Sequence, residues 1–227
     1  MTAADLSSKR VNRSFVLRQG RMTDAQKAAQ AQLWEQYGLA FNAKGMNVQS
    51  AFECPQPLIV EVGFGMGHSL VAMAKAQPHH NFLGIEVHLP GVARTCMELA
   101  EHGLKNVRLV RHDALDVLEH GLTEGSVDKL LLLFPDPWPK KRHHKRRIVQ
   151  TDFIERVHRV LVPQGVWHVA TDWDEYAQFI LEKMDQHPLF DRLSPEKAAR
   201  HVRVETKFER RGLRLGHAIH DLHFSKR

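Results

Sequence analysis

Between residues 58 and 186, short apolar runs alternate with helical stretches, and that alternation leaves the chain few ways to fold. The runs at 58–62, 82–87, 107–111, 127–134 and 166–170 are mostly apolar, and the leucine-rich fourth is uncharged apart from Asp128 and Lys129. Strands that read as continuous apolar segments are buried on both faces, as parallel strands are. The windows between them, 68–76, 91–101, 151–162 and 175–186, have helical spacing; in 151–162 Phe153, Ile154, Val157, Val160 and Leu161 recur every three or four residues. The pattern predicts an α/β fold: one domain, with a mostly parallel sheet and helices on both faces. Right-handed crossovers then gather the strand C-termini on one edge, where such sheets bind ligands. A further helix is predicted over 24–40, with Asp24 near its N-cap and Gly38 ending it.

The chain has 227 residues, enough for one full core with terminal extensions. No apolar run approaches the ~18 residues of a membrane span, and no secretory leader pattern opens the chain. Cys54 and Cys96 form no C-x-x-C and read as reduced thiols of a cytoplasmic protein. The net charge of +6 is unevenly spread. Residues 1–30 hold six Lys/Arg against two acids, 140–147 six against none, and 200–227 eight against three, so the rest of the chain is net negative. Segregation of this kind favours a polyanionic partner; an anionic membrane surface would select for something similar.

After the first run comes Glu61-Val62-Gly63-Phe64-Gly65-Met66-Gly67. Glycines between a strand and a helix allow a tight turn and let a ligand approach backbone near the helix N-terminus. The spacing is not the G-x-G-x-x-G of dinucleotide sites, because His68 stands where a small residue would be needed. Glu86, about 20 residues on, ends the second run, where an acid accepts from ribose hydroxyls. Asp113 follows the third and is placed to contact an adenine amino group. Either acid could instead be a helix cap.

The fourth run ends in Phe134-Pro135-Asp136-Pro137-Trp138-Pro139, which leads directly into Lys140-Lys141-Arg142-His143-His144-Lys145-Arg146-Arg147. The flanking prolines predict a stiff, extended loop for Asp136. Six cations in eight residues can hold several phosphates, or can form a solvated charged loop. Trp138 alone would more often be a core plug. His143 and His144 lack a third ligand at zinc-like spacing, so no metal is expected.

Together with Arg13–Arg18, Thr171-Asp172-Trp173 and Thr206-Lys207-Phe208-Glu209, these segments closely resemble the bacterial tRNA (guanine-N(7)-)-methyltransferases of the TrmB type. That resemblance implies a Rossmann-like class I methyltransferase fold, S-adenosylmethionine as methyl donor and tRNA as partner, with the variable-loop guanosine 46 as target. It implies no membrane association and no obligate protein partner. It places Glu61, Gly63, Gly65, Gly67, Glu86, Asp113 and Asp136 around the cofactor, with Asp136 the catalytic residue. Lys140, Asp172, Thr206, Lys207, Phe208 and Glu209 would line the guanine pocket; Arg142, His143, His144, Lys145, Arg146 and Arg147 would engage RNA. Phe208 could stack on the base or simply pack. Residues 1–23 are expected to form a basic arm and 24–227 the methyltransferase domain, its cofactor half about 58–134 and its tRNA half about 135–227. The alternatives are a class I methyltransferase for another RNA, a small molecule or a protein, and a non-catalytic RNA-binding protein of the same fold.

Overall fold

The computed structural model describes residues 23–201 and 203–227. The basic arm, save Thr23, and the Arg13–Arg18 motif lie outside them. The chain runs α1 (Asp24–Tyr37), β1 (Leu58–Val62), α2 (His68–Ala76), β2 (Asn81–Ile85), α3 (Leu89–Glu101), β3 (Val107–Val110), α4 (Ala114–Asp116), β4 (Val127–Leu133), α5 (Thr151–Val160), β5 (Leu161–Thr171), α6 (Asp174–Asp185), β6 (Phe190–Arg192), α7 (Pro195–Ala198), α8 (Lys207–Arg214) and β7 (His220–Lys226). The seven strands form one sheet in the order β3-β2-β1-β4-β5-β7-β6. The first five pair in parallel, while β7 runs antiparallel to both β5 and β6.

The expected two-faced burial is present residue by residue. Along β1, Leu58, Val60 and Val62 enter one apolar cluster and Ile59 the other; along β4, Leu130 and Leu132 part from Leu131 and Leu133 in the same way. Phe153, Ile154 and Val157 of α5, with Tyr176 and Ile180 of α6, fill the first face. Leu70 of α2, Val92 and Leu99 of α3, and Tyr37 of α1 fill the second. Each fully buried Leu or Phe contributes about 1.5–3 kcal/mol.

Several element boundaries differ from the sequence expectation, four of them near the features that position the site or turn the chain. Helix α5 stops at Val160, not 162: Leu161 is already extended (φ −69°, ψ 143°) and Pro163 biases Val162 the same way. Strand β5 therefore begins at Leu161 and bends through Gln164 at φ +64° before the apolar stretch at 166–170. Strand β2 ends at Ile85, leaving Glu86 in the following turn. Helix α1 ends at Tyr37, and Gly38 bridges Leu109; a Cβ there would come 2.2 Å from the Trp34 ring.

Candidate active site

From β1 the chain winds outward through β2 and β3, then crosses back to β4 on the other side of β1. Loops leaving β1 and β4 must diverge at this switch point, which opens a crevice at the strand C-termini. A cavity of about 270 Å³ occupies it. Gly63 and Gly65 after β1, Glu86 after β2, Asp113 after β3, and Phe134 and Asp136 after β4 form its walls.

Gly63 (φ +72°) and Gly65 (φ +58°) adopt the left-handed backbone, and a Cβ on either would meet nothing within 4 Å. The space beside the loop is thus open to a ligand lying against backbone. Gly67 is different. It does not reach the cavity, and a Cβ there would fall 2.1 Å from Thr95 Oγ1, so this glycine lets α2 pack closely on α3. Gly91 does related work unseen in the sequence, since a Cβ at that position would strike the Gly65 carbonyl at 2.0 Å.

The carboxylate of Glu86 accepts from the Gly65 amide (2.8 Å) and from those of Val87 (2.7 Å) and His88 (2.9 Å). An ionised carboxylate has about four acceptor sites, so capacity remains for a ligand hydroxyl. Asp113 Oδ1 caps α4 through the Leu115 amide at 3.0 Å while the residue also lines the cavity. Asp113 thus caps a helix while facing the cavity, whereas Glu86 caps none and instead ties the Gly65 loop to the turn after β2. His112 beside Asp113 is stacked on Phe41 (centroids 3.9 Å apart, planes 9°) and also lines the cavity. Its contribution depends on the 41–56 linker, which carries no recognisable signal. Glu61 is buried behind the glycine loop and not on the cavity wall. Its Oε2 has no hydrogen-bond partner among the described residues. Burial, and then the charge of Glu86, push its carboxyl up to about 8.

On the β4 side, Asp136 is exposed between its two prolines. The loop is not simply extended: Phe134 (φ +54°) and Trp138 (φ +45°) both take left-handed backbone. Such conformations cost about 1–3 kcal/mol each and persist where surrounding contacts hold them. The Phe134 amide donates to Ala170 O at 2.7 Å, and its ring lies between Phe208 (6.3 Å) and the Arg203 guanidinium (5.5 Å). Trp138 is no core plug; it packs under the basic run, with Arg146 over its ring at 5.0 Å and His143 edge-on at 5.8 Å.

The basic run is a short 3₁₀ segment, Lys141–Arg146. With three residues per turn, side chains three apart share a face, so His144 and Arg147 both turn toward Glu175. His144 Nε2 lies 3.3 Å and Arg147 Nη2 3.2 Å from Glu175 Oε1. Lys140, Lys141, Arg142 and Lys145 remain exposed, with His143 and Arg146 half-buried. Partial desolvation, then the charges of Arg142, Arg146, Lys140 and Lys145, lower the His143 imidazole below its ordinary range. Arg147 corrects the sequence expectation. It is 2% exposed, donates through Nε to the Pro137 carbonyl at 2.8 Å, and stacks on Tyr176 (5.0 Å) and Phe179 (4.8 Å). A guanidinium so enclosed braces the loop carrying Asp136 and has no face left for a phosphate.

Of the residues expected around guanine, only Phe208, 57% exposed, lines the cavity with Asp136. Thr206 and Glu209 form a reciprocal capping box that starts α8, Thr206 Oγ1 accepting from the Glu209 amide at 3.1 Å; such caps are worth about 1 kcal/mol. Glu209 also pairs with Arg203, which grips Asp221 in a two-point contact at 2.7 and 2.9 Å. Asp172 lies under α8: a Cβ on Gly212 would be 2.9 Å from it, and its Oδ2 is 3.3 Å from His217 Nδ1. Asp172, Thr206 and Glu209 therefore hold α8, and α8 presents Phe208. Lys140 and Lys207 are exposed beyond the rim.

A family model described as "Putative methyltransferase" matches residues 55–222. The chain is 47% identical over 219 residues to a tRNA (guanine-N(7)-)-methyltransferase of Chromohalobacter salexigens, covering 94% of this chain and 89% of that one. It is 46% identical over 218 residues to one of Alcanivorax borkumensis, covering 95% and 91%. Among solved structures, the 16S rRNA methyltransferase KamB superposes with a TM-score of 0.54 at 16% identity, covering 92% of this chain and 96% of that one. TrmN from Thermus thermophilus gives 0.54 at 16% identity over 89% of this chain and 49% of that one. These two likenesses show the Rossmann-like methyltransferase fold.

Proposed function

We propose that this chain, which belongs to the family of tRNA (guanine-N(7)-)-methyltransferases, transfers a methyl group from S-adenosylmethionine to N7 of a guanine in tRNA. The observation that carries the reading is the meeting of Gly63, Gly65, Glu86, Asp113 and Asp136 around one cavity, with Phe208 at its rim. The open glycine cradle and the spare acceptor capacity of Glu86 and Asp113 suit a ligand with hydroxyls, an amino group and a flat ring. Glu86 would accept from the ribose, Asp113 from the adenine amino group, and Gly63 and Gly65 would lie against the methionine portion. The cofactor supplies an electrophilic methyl group on a sulfonium.

Guanine N7 offers a lone pair and carries no proton. Attack by that lone pair would leave the electron pair of the broken C–S bond on sulfur and put the positive charge on the purine. No base is needed, so the protein's work is alignment and electrostatics. Fixed geometry alone can supply about 7–11 kcal/mol. The Asp136 carboxylate, held on a loop bent at Phe134 and Trp138 and braced by Arg147, would offset charge developing on the ring. Phe208 would cover the base, and the exposed cations of 140–146 would hold phosphates. The protein is expected to act in the cytoplasm, because tRNA is the proposed substrate; no helix among the described residues is long and apolar enough to cross a membrane.

The test is labelled-methyl transfer to an unmodified tRNA transcript, with the product mapped for 7-methylguanosine. Asp136→Asn should bind tRNA almost normally yet lose about 10²–10³ in single-turnover rate. The wild-type rate should be flat from neutral pH upward, because no proton is removed. Transfer by Asp136→Asn at the wild-type rate would remove Asp136 from the reaction.

A further inference from the structure

Helix α8 has an inner and an outer side. Inward, Phe208 stacks against Phe134 and Gly212 sits against Asp172. Outward, Lys207, Arg210, Arg211 and Arg214 stand at i, i+3, i+4 and i+7, and all four are exposed. At 100° per residue they fall within a single arc of about 100°, so they form one stripe rather than a scattered set. The helix's single acid, Glu209, is turned away into its capping box and its pair with Arg203. Among the described residues, only Arg210 of the four has an ion pair, an exposed one to Glu205 at 3.3 Å. A pair so placed is worth little and exchanges readily for another anion.

The stripe also has a definite place. It begins at Lys207, next to Phe208 on the cavity rim, and the exposed cations of 140–145 follow Asp136 on the same cavity. Each of two cavity-lining residues, Asp136 on the loop after β4 and Phe208 on α8, is thus followed or flanked in the chain by an exposed basic segment. With a rise of about 1.5 Å per residue the stripe is about 10 Å long, enough for about two phosphates of one strand. Membrane docking would need a broad apolar face beside the cations; beside the stripe stand only Leu213 and, just past the helix end, Leu215 (55% and 61% exposed), against four cations on the stripe itself.

We propose that the outer face of α8 is a second phosphate-binding surface, which grips the RNA backbone next to the target guanine while the 140–145 loop holds it elsewhere. This rests on the tRNA reading above, and the experiment separates the two. In the full chain, Arg210→Gln, Arg211→Gln and Arg214→Gln are combined, and tRNA affinity is measured against salt. Loss of two phosphate contacts should lower the slope of log affinity on log salt by about 1.4–1.8, and weaken binding at 0.1 M salt about 25–60-fold. Cofactor affinity and the urea midpoint should not change. Replacing the same three residues by lysine keeps the charge and should restore the slope. If the glutamine variant keeps the wild-type slope, or the lysine variant fails to recover it, the inference is overturned. Loss of binding to anionic vesicles with an unchanged tRNA slope would overturn it equally. A wild-type protein that leaves guanine N7 of tRNA unmethylated would instead overturn the reading beneath it.

Discussion

Arg147 gives a sharp test, because its place in a basic run suggests one behaviour and its surroundings another. Replacing it with alanine removes the bond to the Pro137 carbonyl, a charge-assisted contact worth about 1.5–3 kcal/mol. It also removes two stacking contacts in a desolvated setting, worth about 1–2 kcal/mol each. The Glu175 side chain is 57% exposed, so that pair adds little. Since these contributions overlap, Arg147→Ala should cost about 3–5 kcal/mol in urea unfolding, in the range for stripping a buried charged group from its partners. Arg142→Ala, on the exposed side of the same segment, should stay within about 0.5 kcal/mol of wild type. The RNA readout should reverse: Arg142→Ala should lower the salt slope of tRNA binding, and Arg147→Lys, which keeps the charge but not the stacked plane, should leave it alone. A cost below about 1 kcal/mol for Arg147→Ala, together with a salt slope lowered as much as by Arg142→Ala, would refute this account of the loop.

Glu86→Ala should weaken cofactor binding by about 1.5–3 kcal/mol in calorimetric titration, through lost ligand bonds and a slackened Gly65 loop; unchanged affinity in a folded variant would take Glu86 out of the site. Glu61 should make stability pH-dependent. Its folded carboxyl holds a proton up to about 8, against an ordinary 4.5 in the unfolded chain. Between those values the native state binds more protons, so its stability should fall as pH rises and level off above about 8. Urea unfolding from pH 5 to 8.5 should show that decline in wild type, and Glu61→Gln should flatten it.

The central sheet was legible because each of its parallel strands contains a short, mostly apolar stretch that isolated polar residues such as Glu61 in β1 and Arg108 in β3 do not hide. The antiparallel edge was not. In β7, His220, Asp221, His223, Ser225 and Lys226 outnumber Leu222 and Phe224, and the segment is a strand because β5 offers it a partner, which local composition does not encode. The convergence of Gly63, Gly65, Glu86 and Asp113 on one cavity was readable since each stands within three residues of a strand end, and strand ends fix position closely. Gly67 misled because a glycine needed for helix contact looks the same in sequence as one needed for a ligand. On the RNA side the charge was visible but its direction was not. The 3₁₀ turn sends Arg147 inward, and the Thr206–Glu209 spacing that resembled a binding motif is also the spacing of a capping box.

The most direct test of the account replaces the atom said to react. Two tRNA transcripts, one with guanosine and one with 7-deazaguanosine throughout, are first matched for affinity and then given labelled methyl donor in a single turnover. The first should take up close to one methyl group per bound tRNA and the second none, because a carbon replaces the N7 lone pair while every phosphate contact remains. Comparable labelling of the 7-deaza transcript would contradict transfer to guanine N7.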